Sequence, residues 1–174
     1  MNFGLTVVVR GELYDKDMKL KQSFVKHNLI TNAGYGFLAK CLGDSTRPAK
    51  LSHIAVGTGT NVPSLTDTAL QSELFRKSCD YSYVDNDKFL SLGVTFGAGE
   101  ATGAITEAGI LNASTGGVLF DRVTFPVINK DTMDVYRISF TIVMEEVDSS
   151  YSPEVDSSYS PKLGTGKLDY LVLS

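Results

Sequence analysis

The chain contains no tryptophan, only two cysteines, two histidines and five prolines in 174 residues, and no basic excess, with 16 Lys and Arg against 20 Asp and Glu. Each scarcity excludes something. Without tryptophan the broad aromatic platforms that sugar sites favour are missing. Cys41 and Cys79 lie far apart, form no C-x-x-C pair and have no histidine at ligand spacing, so a structural zinc site is not expected. Both read as small, reduced, buried hydrophobes, with a disulfide between them left open. A net charge of −4 lacks the clustered Lys and Arg that phosphate backbones demand, which argues against nucleic acid as a partner. No apolar run approaches the roughly 18 residues of a membrane helix, and residues 1–10 have neither the long apolar core of a signal peptide nor the character of a transit peptide. The expectation is a soluble protein made in a reducing cytoplasm, without membrane insertion.

Catalytic patterns are missing as well. There is no G-x-S-x-G nucleophile elbow and no G-K-[ST] phosphate loop. Gly57-Thr58-Gly59 follows an apolar run, but Val62 stands where a dinucleotide fingerprint needs its third glycine, so the segment reads as a tight turn needing positive φ. His53 precedes a short apolar run with no nucleophile beside it and reads as structural; His27 reads as a solvated strand end. Asp85, Asn86 and Asp87 crowd oxygens as calcium loops do, without the glycine and distal glutamate of such a loop, and read as a hairpin tip. Glu100 and Glu107 have no aromatic platform that would make them glycosidase carboxylates. No catalytic residue, metal ligand or cofactor is expected.

What the sequence does contain is strand pattern. Hydrophobic residues make up 43% of a chain whose mean hydropathy is zero, enough for one core. Residues 5–14 and 19–30 predict a hairpin turning at 15–17. Thr31 can cap a helix whose Ala33, Phe37, Leu38, Cys41 and Leu42 share a face, with Gly43 as its stop and Gly34 and Gly36 weakening it. Residues 52–56, 74–84, 89–96, 104–111, 118–127 and 135–144 predict further strands, residues 68–73 one helical turn, and residues 167–173 a closing strand. Strands about ten residues apart, without intervening helices, predict a mainly β protein: an antiparallel β-sandwich with one short helix near the N-terminus. It should form a single domain over 1–174, with an N-terminal hairpin and helix over 1–43.

Residues 145–162 hold the one internal repeat, V-D-S-S-Y-S-P-E followed by V-D-S-S-Y-S-P-K. Rich in Ser, Asp and Pro, it predicts a surface loop before the C-terminal strand. The segment carries five acids and one base, so the whole net charge of −4 resides there and the remainder is neutral. Tyr151 and Tyr159, with Asp148 and Asp156, are the candidate interface residues, because tyrosine supplies rigid amphipathic contacts.

An ordered series of small signatures remains: N-L-I-T-N-A-G at 28–34, I-A-V-G-T-G at 54–59, T-A-L-Q-S-E-L-F-R at 68–76, E-A-G-I-L at 107–111 and G-V-L-F-D-R-V-T-F at 117–125. Their order and spacing resemble bacteriophage tail-collar fibre proteins and the N-terminal attachment domains of tail fibres, over residues 28–144. The resemblance implies a virion structural protein of the tail, collar or baseplate. Such a protein acts as an attachment or adaptor subunit beside copies of itself and other virion proteins, synthesised in the cytoplasm of a bacterial host. Tail fibres continue into trimeric shafts and receptor-binding tips, so the expectation for this chain is a free-standing attachment domain. Gly57, Gly59, Glu73, Arg76, Glu107, Gly109 and Arg122, with Gly117, fall on these signatures and are expected to have structural roles: the glycines at turns or close approaches, the charged residues in pairs. The alternative function is a soluble carbohydrate-binding or host-adhesion module using residues 57–64 and the tyrosine repeat.

Overall fold

The computed structural model describes residues 2–85 and 87–147. Most of the repeat with Asp148, Tyr151, Asp156 and Tyr159, the expected strand at 167–173, and Asn86 lie outside the described residues. The opening hairpin joins β1 (Asn2–Tyr14) to β2 (Leu20–His27), where Asp15 Oδ1 accepts the amides of Asp17 and Lys19, each at 2.9 Å, and Met18 takes a left-handed φ of 61°. Then follow β3 (Leu29–Ile30), α1 (Asn32–Gly43), β4 (His53–Gly57), β5 (Glu73–Ser78), β6 (Asp80–Tyr83), β7 (Phe89–Phe96), β8 (Gly103–Leu111), β9 (Leu119–Lys130) and β10 (Val135–Val147). Two five-stranded antiparallel sheets, ordered β2-β1-β10-β7-β6 and β3-β9-β8-β4-β5, make the β-sandwich.

Two expected strands prove to be two strands each. Residues 19–30 divide at Asn28, with β2 in the first sheet and β3 in the second; residues 74–84 divide at Cys79, with β5 in the second sheet and β6 in the first. An alternating run gives no sign of which sheet each half joins, and a sandwich turns its corners by letting a strand bend from one sheet into the other. The backbone at both corners is tied down: the Asn28 amide donates to Val7 O at 3.2 Å, and the Cys79 amide to Ser52 O at 2.9 Å. Both cysteines are free thiols, and partial burial raises the pKa of Cys79.

Thr31 caps α1 as expected, its Oγ1 accepting the Gly34 amide at 3.0 Å and donating to Leu119 O at 2.6 Å. Phe37 packs edge-on against Phe120, and Leu38 and Cys41 lean on the same core. Leu42 is the exception, 89% exposed. Gly43 does not stop the helix by a left-handed turn either; it is the last helical residue, and extended Asp44 follows, its amide bonded to Lys40 O at 3.1 Å. A Cβ on Gly34 would overlap the Phe120 carbonyl, whereas one on Gly36 would meet nothing within 4 Å. Gly36→Ala should therefore stabilise the fold by about 0.5–1 kcal/mol, read as a higher urea midpoint.

The core fills the space between the sheets with Val7, Val9, Leu13, Phe96, Ile138 and Phe140 from the first and Ile54, Val56, Ile105, Ala108, Val123 and Phe125 from the second. Ala55, Leu70, Leu111 and Leu119 form a separate buried cluster. Strand alternation puts Ala55, Leu111 and Leu119 on the outer face of the second sheet, so Leu70 reaches them from the segment between β4 and β5.

Candidate functional site

The segment 58–72 is the longest connection among the described residues that has no helix or strand of its own. It contains none of the helical turn expected over 68–73; Glu73 already begins β5. Long connections that are nonetheless held in place are functional more often than not, and here the holding is done by charged groups rising from beneath.

Glu107 on β8 and Arg122 on β9 are 0% and 1% exposed, and face each other across the outer surface of the second sheet. Arg122 Nε donates to Glu107 Oε2 at 2.9 Å, and Nη2 lies 2.8 Å from the same oxygen. The other carboxylate contacts are backbone amides of the long segment: Gly59 and Ser72 donate to Oε1 at 2.9 and 2.7 Å, and Gln71 to Oε2 at 3.0 Å. Arg122 reaches further into the segment, Nη1 to Asp67 Oδ2 at 2.8 Å and Nη2 to Asn61 Oδ1 at 2.5 Å. The side chain of Gln71 accepts the amides of Thr60 and Asn61 at 2.8 and 2.9 Å, and Thr106 Oγ1 donates to Gly59 O at 2.8 Å. Burial alone would raise the Glu107 pKa, but the amides of Ser72, Gln71 and Gly59 together with Arg122 outweigh it and hold the carboxyl below its ordinary value.

The glycines serve this arrangement by leaving room. Neither Gly57 nor Gly59 has positive φ, which corrects the tight-turn reading of Gly57-Thr58-Gly59. A Cβ on Gly57 would lie 2.6 Å from Glu107 Oε1, and one on Gly59 would overlap that same oxygen. The carboxylate occupies the volume that side chains would take. A Cβ on Gly109 would likewise lie 2.5 Å from Asp121 O, while Gly117 does take the left-handed φ of 82° that a turn requires.

Glu73 and Arg76 pair with each other rather than with Glu107 and Arg122, at 2.8 and 2.6 Å through two nitrogens. They meet although the segment is a strand. The pairing of β4 with β5 slips between Val56 and Gly57, and the extra residue of this bulge turns side chains three apart to one side. Arg76 Nη1 also donates to Ala113 O and Gly116 O, both at 2.9 Å, and so fastens the β8–β9 connection.

Sequence reasoning passed over Asn61, Asp67, Gln71 and Asp121. The available signal was the adjacent Asp121-Arg122 within apolar G-V-L-F-D-R-V-T-F: neighbours in a strand face opposite ways, so each needs its own buried partner. Arg122 finds Glu107 and Asp67 on the outer face. Asp121 points into the sandwich, fully buried, accepting the Ile110 amide at 2.9 Å and a hydrogen bond from the Asn28 side chain. Desolvation raises its pKa to about 7 despite those two bonds.

The other candidates stand apart from this network. Glu100 binds Lys77 at 2.6 Å and the Gly97 amide at 2.8 Å. His53 Nδ1 meets the Ser52 hydroxyl at 2.9 Å, with no carboxylate hydrogen-bonded to its other nitrogen among the described residues, and His27 is exposed. Among the described residues no group of three or more His, Cys, Asp or Glu gathers as metal ligands, and no helix is long and apolar enough to cross a membrane.

At the surface of the anchored segment, Val62 is 84% and Leu65 45% exposed, while the Leu65 carbonyl accepts the Asn32 amide at 2.8 Å from the start of α1. Apolar side chains thus sit on a backbone fixed from below, an arrangement suited to contact with another protein surface. Comparison with protein-family models, with curated proteins and with solved structures finds no match.

Proposed function

We propose that this chain is a structural subunit of a bacteriophage virion, an attachment or adaptor component of tail, collar or baseplate. It would associate with copies of itself and with other virion proteins, and perform no catalysis. The observation that carries the reading is the convergence of the signatures resembling tail-collar fibre proteins. Gly57 and Gly59 of I-A-V-G-T-G, Gln71 and Ser72 of T-A-L-Q-S-E-L-F-R, Glu107 of E-A-G-I-L and Arg122 of G-V-L-F-D-R all meet in one buried network. Residues scattered over the sequence therefore serve one purpose, holding the segment 58–72 rigid with Val62 and Leu65 outward. A preordered contact loses little conformational entropy on association, which suits a subunit that must fit a repeating assembly. In the particle the subunit would sit in the tail or neck region, having been synthesised in the host cytoplasm.

Light scattering on gel-filtered protein tests this. The wild type is expected to elute as an oligomer, and Val62→Asp combined with Leu65→Asp to shift it towards monomer with the melting temperature within a few degrees, since both side chains are surface groups. A monomeric wild type, or an oligomer indifferent to both substitutions, would count against the reading.

A further inference from the structure

The outer face of the first sheet carries a groove of about 280 Å³ that the network under residues 58–72 does not touch. One row of paired residues crosses four strands there: Arg10 on β1, Ser139 on β10, Gly93 on β7 and Asp80 on β6. The adjacent row on the same face is Glu12, Arg137 and Thr95.

Gly93 is the informative member. It lies within a strand paired on both sides, where glycine costs about 0.5–1 kcal/mol relative to alanine, and its φ is not positive. A Cβ there would meet only Ile138 O and the Ser139 Cβ, both at an ordinary 3.8 Å. Neither packing nor backbone conformation requires a glycine, unlike Gly34, Gly57 or Gly59. What glycine leaves is an open floor between the small Ser139 and Asp80, in a groove that Arg10 and Arg137 also line. Arg10, Arg137 and Asp80 make no ion pair among the described residues. Arg137 lies 5.2 Å over the Tyr14 ring, and the Tyr14 hydroxyl donates to Glu12 at 2.8 Å.

We propose that this groove binds an acidic sugar, its carboxylate held by Arg10 and Arg137, its hydroxyls by Asp80, Ser139 and Thr95, and its ring seated over Gly93. Guanidinium groups bind a carboxylate in fixed, charge-assisted geometry. Asp80 and Glu12 face the same space and repel a polyanion such as nucleic acid, whereas a ring bearing one carboxylate and several hydroxyls satisfies both signs of charge. The volume suits one or two sugar rings, near the lower bound of about 300 Å³ for small-molecule sites. Tyr14, outside the groove, backs the Arg137 guanidinium with its ring face. The site is independent of the assembly reading, which is tested by oligomeric state and stands or falls separately.

Titrating the full chain with sodium D-glucuronate, D-galacturonate and N-acetylneuraminate, with D-glucose and sodium acetate as controls, and following backbone amide shifts by NMR, is the test. At least one acidic sugar is expected to move the amides of Gly93, Thr95 and Ser139 saturably, in the millimolar range, well beyond either control. Arg10→Ala should weaken that binding about tenfold. Gly93→Val, which fills the floor, should abolish it with an unchanged or higher melting temperature, and Gly93→Ala, whose methyl meets only ordinary contacts, should weaken it without loss of stability. Absence of saturable shifts with all three acidic sugars, equal shifts with glucose or acetate, or binding that survives both Arg10→Ala and Gly93→Val would overturn the proposal.

Discussion

Replacing Glu107 with alanine is expected to cost about 3–5 kcal/mol of stability, the range for removing one member of a buried ion pair and leaving the other charge uncompensated. The substitution strands Arg122 at 1% exposure with Asp67 as its remaining charged partner, and it deprives the amides of Gly59, Gln71 and Ser72 of their acceptor. The damage should be greatest in residues 58–72. Urea unfolding should show the lower stability, and limited proteolysis should show cleavage within that segment before the rest of the sandwich. Replacing Glu107 and Arg122 together by methionine should cost less than Glu107→Ala alone, because no fully buried charge is then left, though the part-buried Asp67 and the three amides still lose their partner. A loss below about 1 kcal/mol for Glu107→Ala would mean that the pair behaves like a surface salt bridge and does not anchor the segment. The pH dependence has a definite sign. Since the Glu107 carboxyl is held below its ordinary 4.5, its contribution is complete above that value and is lost as pH falls through the folded-state value.

Asp121 acts in the opposite direction, and Asp121→Asn is expected to stabilise the protein at pH 8. With its pKa raised from 3.8 to about 7, the folded state keeps a proton that the unfolded chain releases. Its favourable contribution is therefore whole below about pH 4 and is lost as pH rises to about 7, a difference on the order of 4 kcal/mol. Geometry supports a neutral acid here: the group faces no other charge, and the Asn28 Oδ1 beside it is buried with no hydrogen-bond partner. Reversing the Asn28 amide presents that oxygen to a protonated Asp121, or to the amide nitrogen of an asparagine at 121, while Ile110 keeps its acceptor. Chemical denaturation of wild type and Asp121→Asn at pH 4, 6 and 8 should give curves that converge at pH 4 and separate towards pH 8, the variant being the more stable. Parallel curves would show that folding does not raise the pKa of Asp121.

These two carboxylates lie on neighbouring strands, yet only one was legible in the sequence as a residue with a task. Glu107 stands in a recognisable E-A-G-I-L signature, and a buried arginine in an apolar strand demands an acid, so the Glu107–Arg122 pairing was within reach. Its other half, the capture of Gly59, Gln71 and Ser72 amides, was not, because an amide carries no residue-specific mark. At Gly57 and Gly59 the sequence leaves turn and close approach as alternatives and the structure shows the close approach: a glycine kept for lack of a Cβ looks the same in one dimension as a glycine kept for its φ. Gly93 carries no mark in the sequence for the same reason, although in three dimensions no close neighbour explains its absent side chain.

The strand pattern, the Thr31 cap, the Asp15 turn and the mainly β class follow from local rules, since alternation, capping oxygens and turn residues act over two to four positions and are written in consecutive letters. The corners at Asn28 and Cys79, the bulge that lets Glu73 meet Arg76 and the opposite environments of Asp121 and Arg122 were decided by the tertiary structure alone. Each depends on which sheet a strand joins and which face it buries, and those are settled by pairings such as Ile110 with Asp121 and Gly109 with Arg122 across β8 and β9. Adjacent residues with nearly the same sequence neighbours therefore acquire opposite electrostatics, one desolvated in the core and one compensated beneath the segment 58–72.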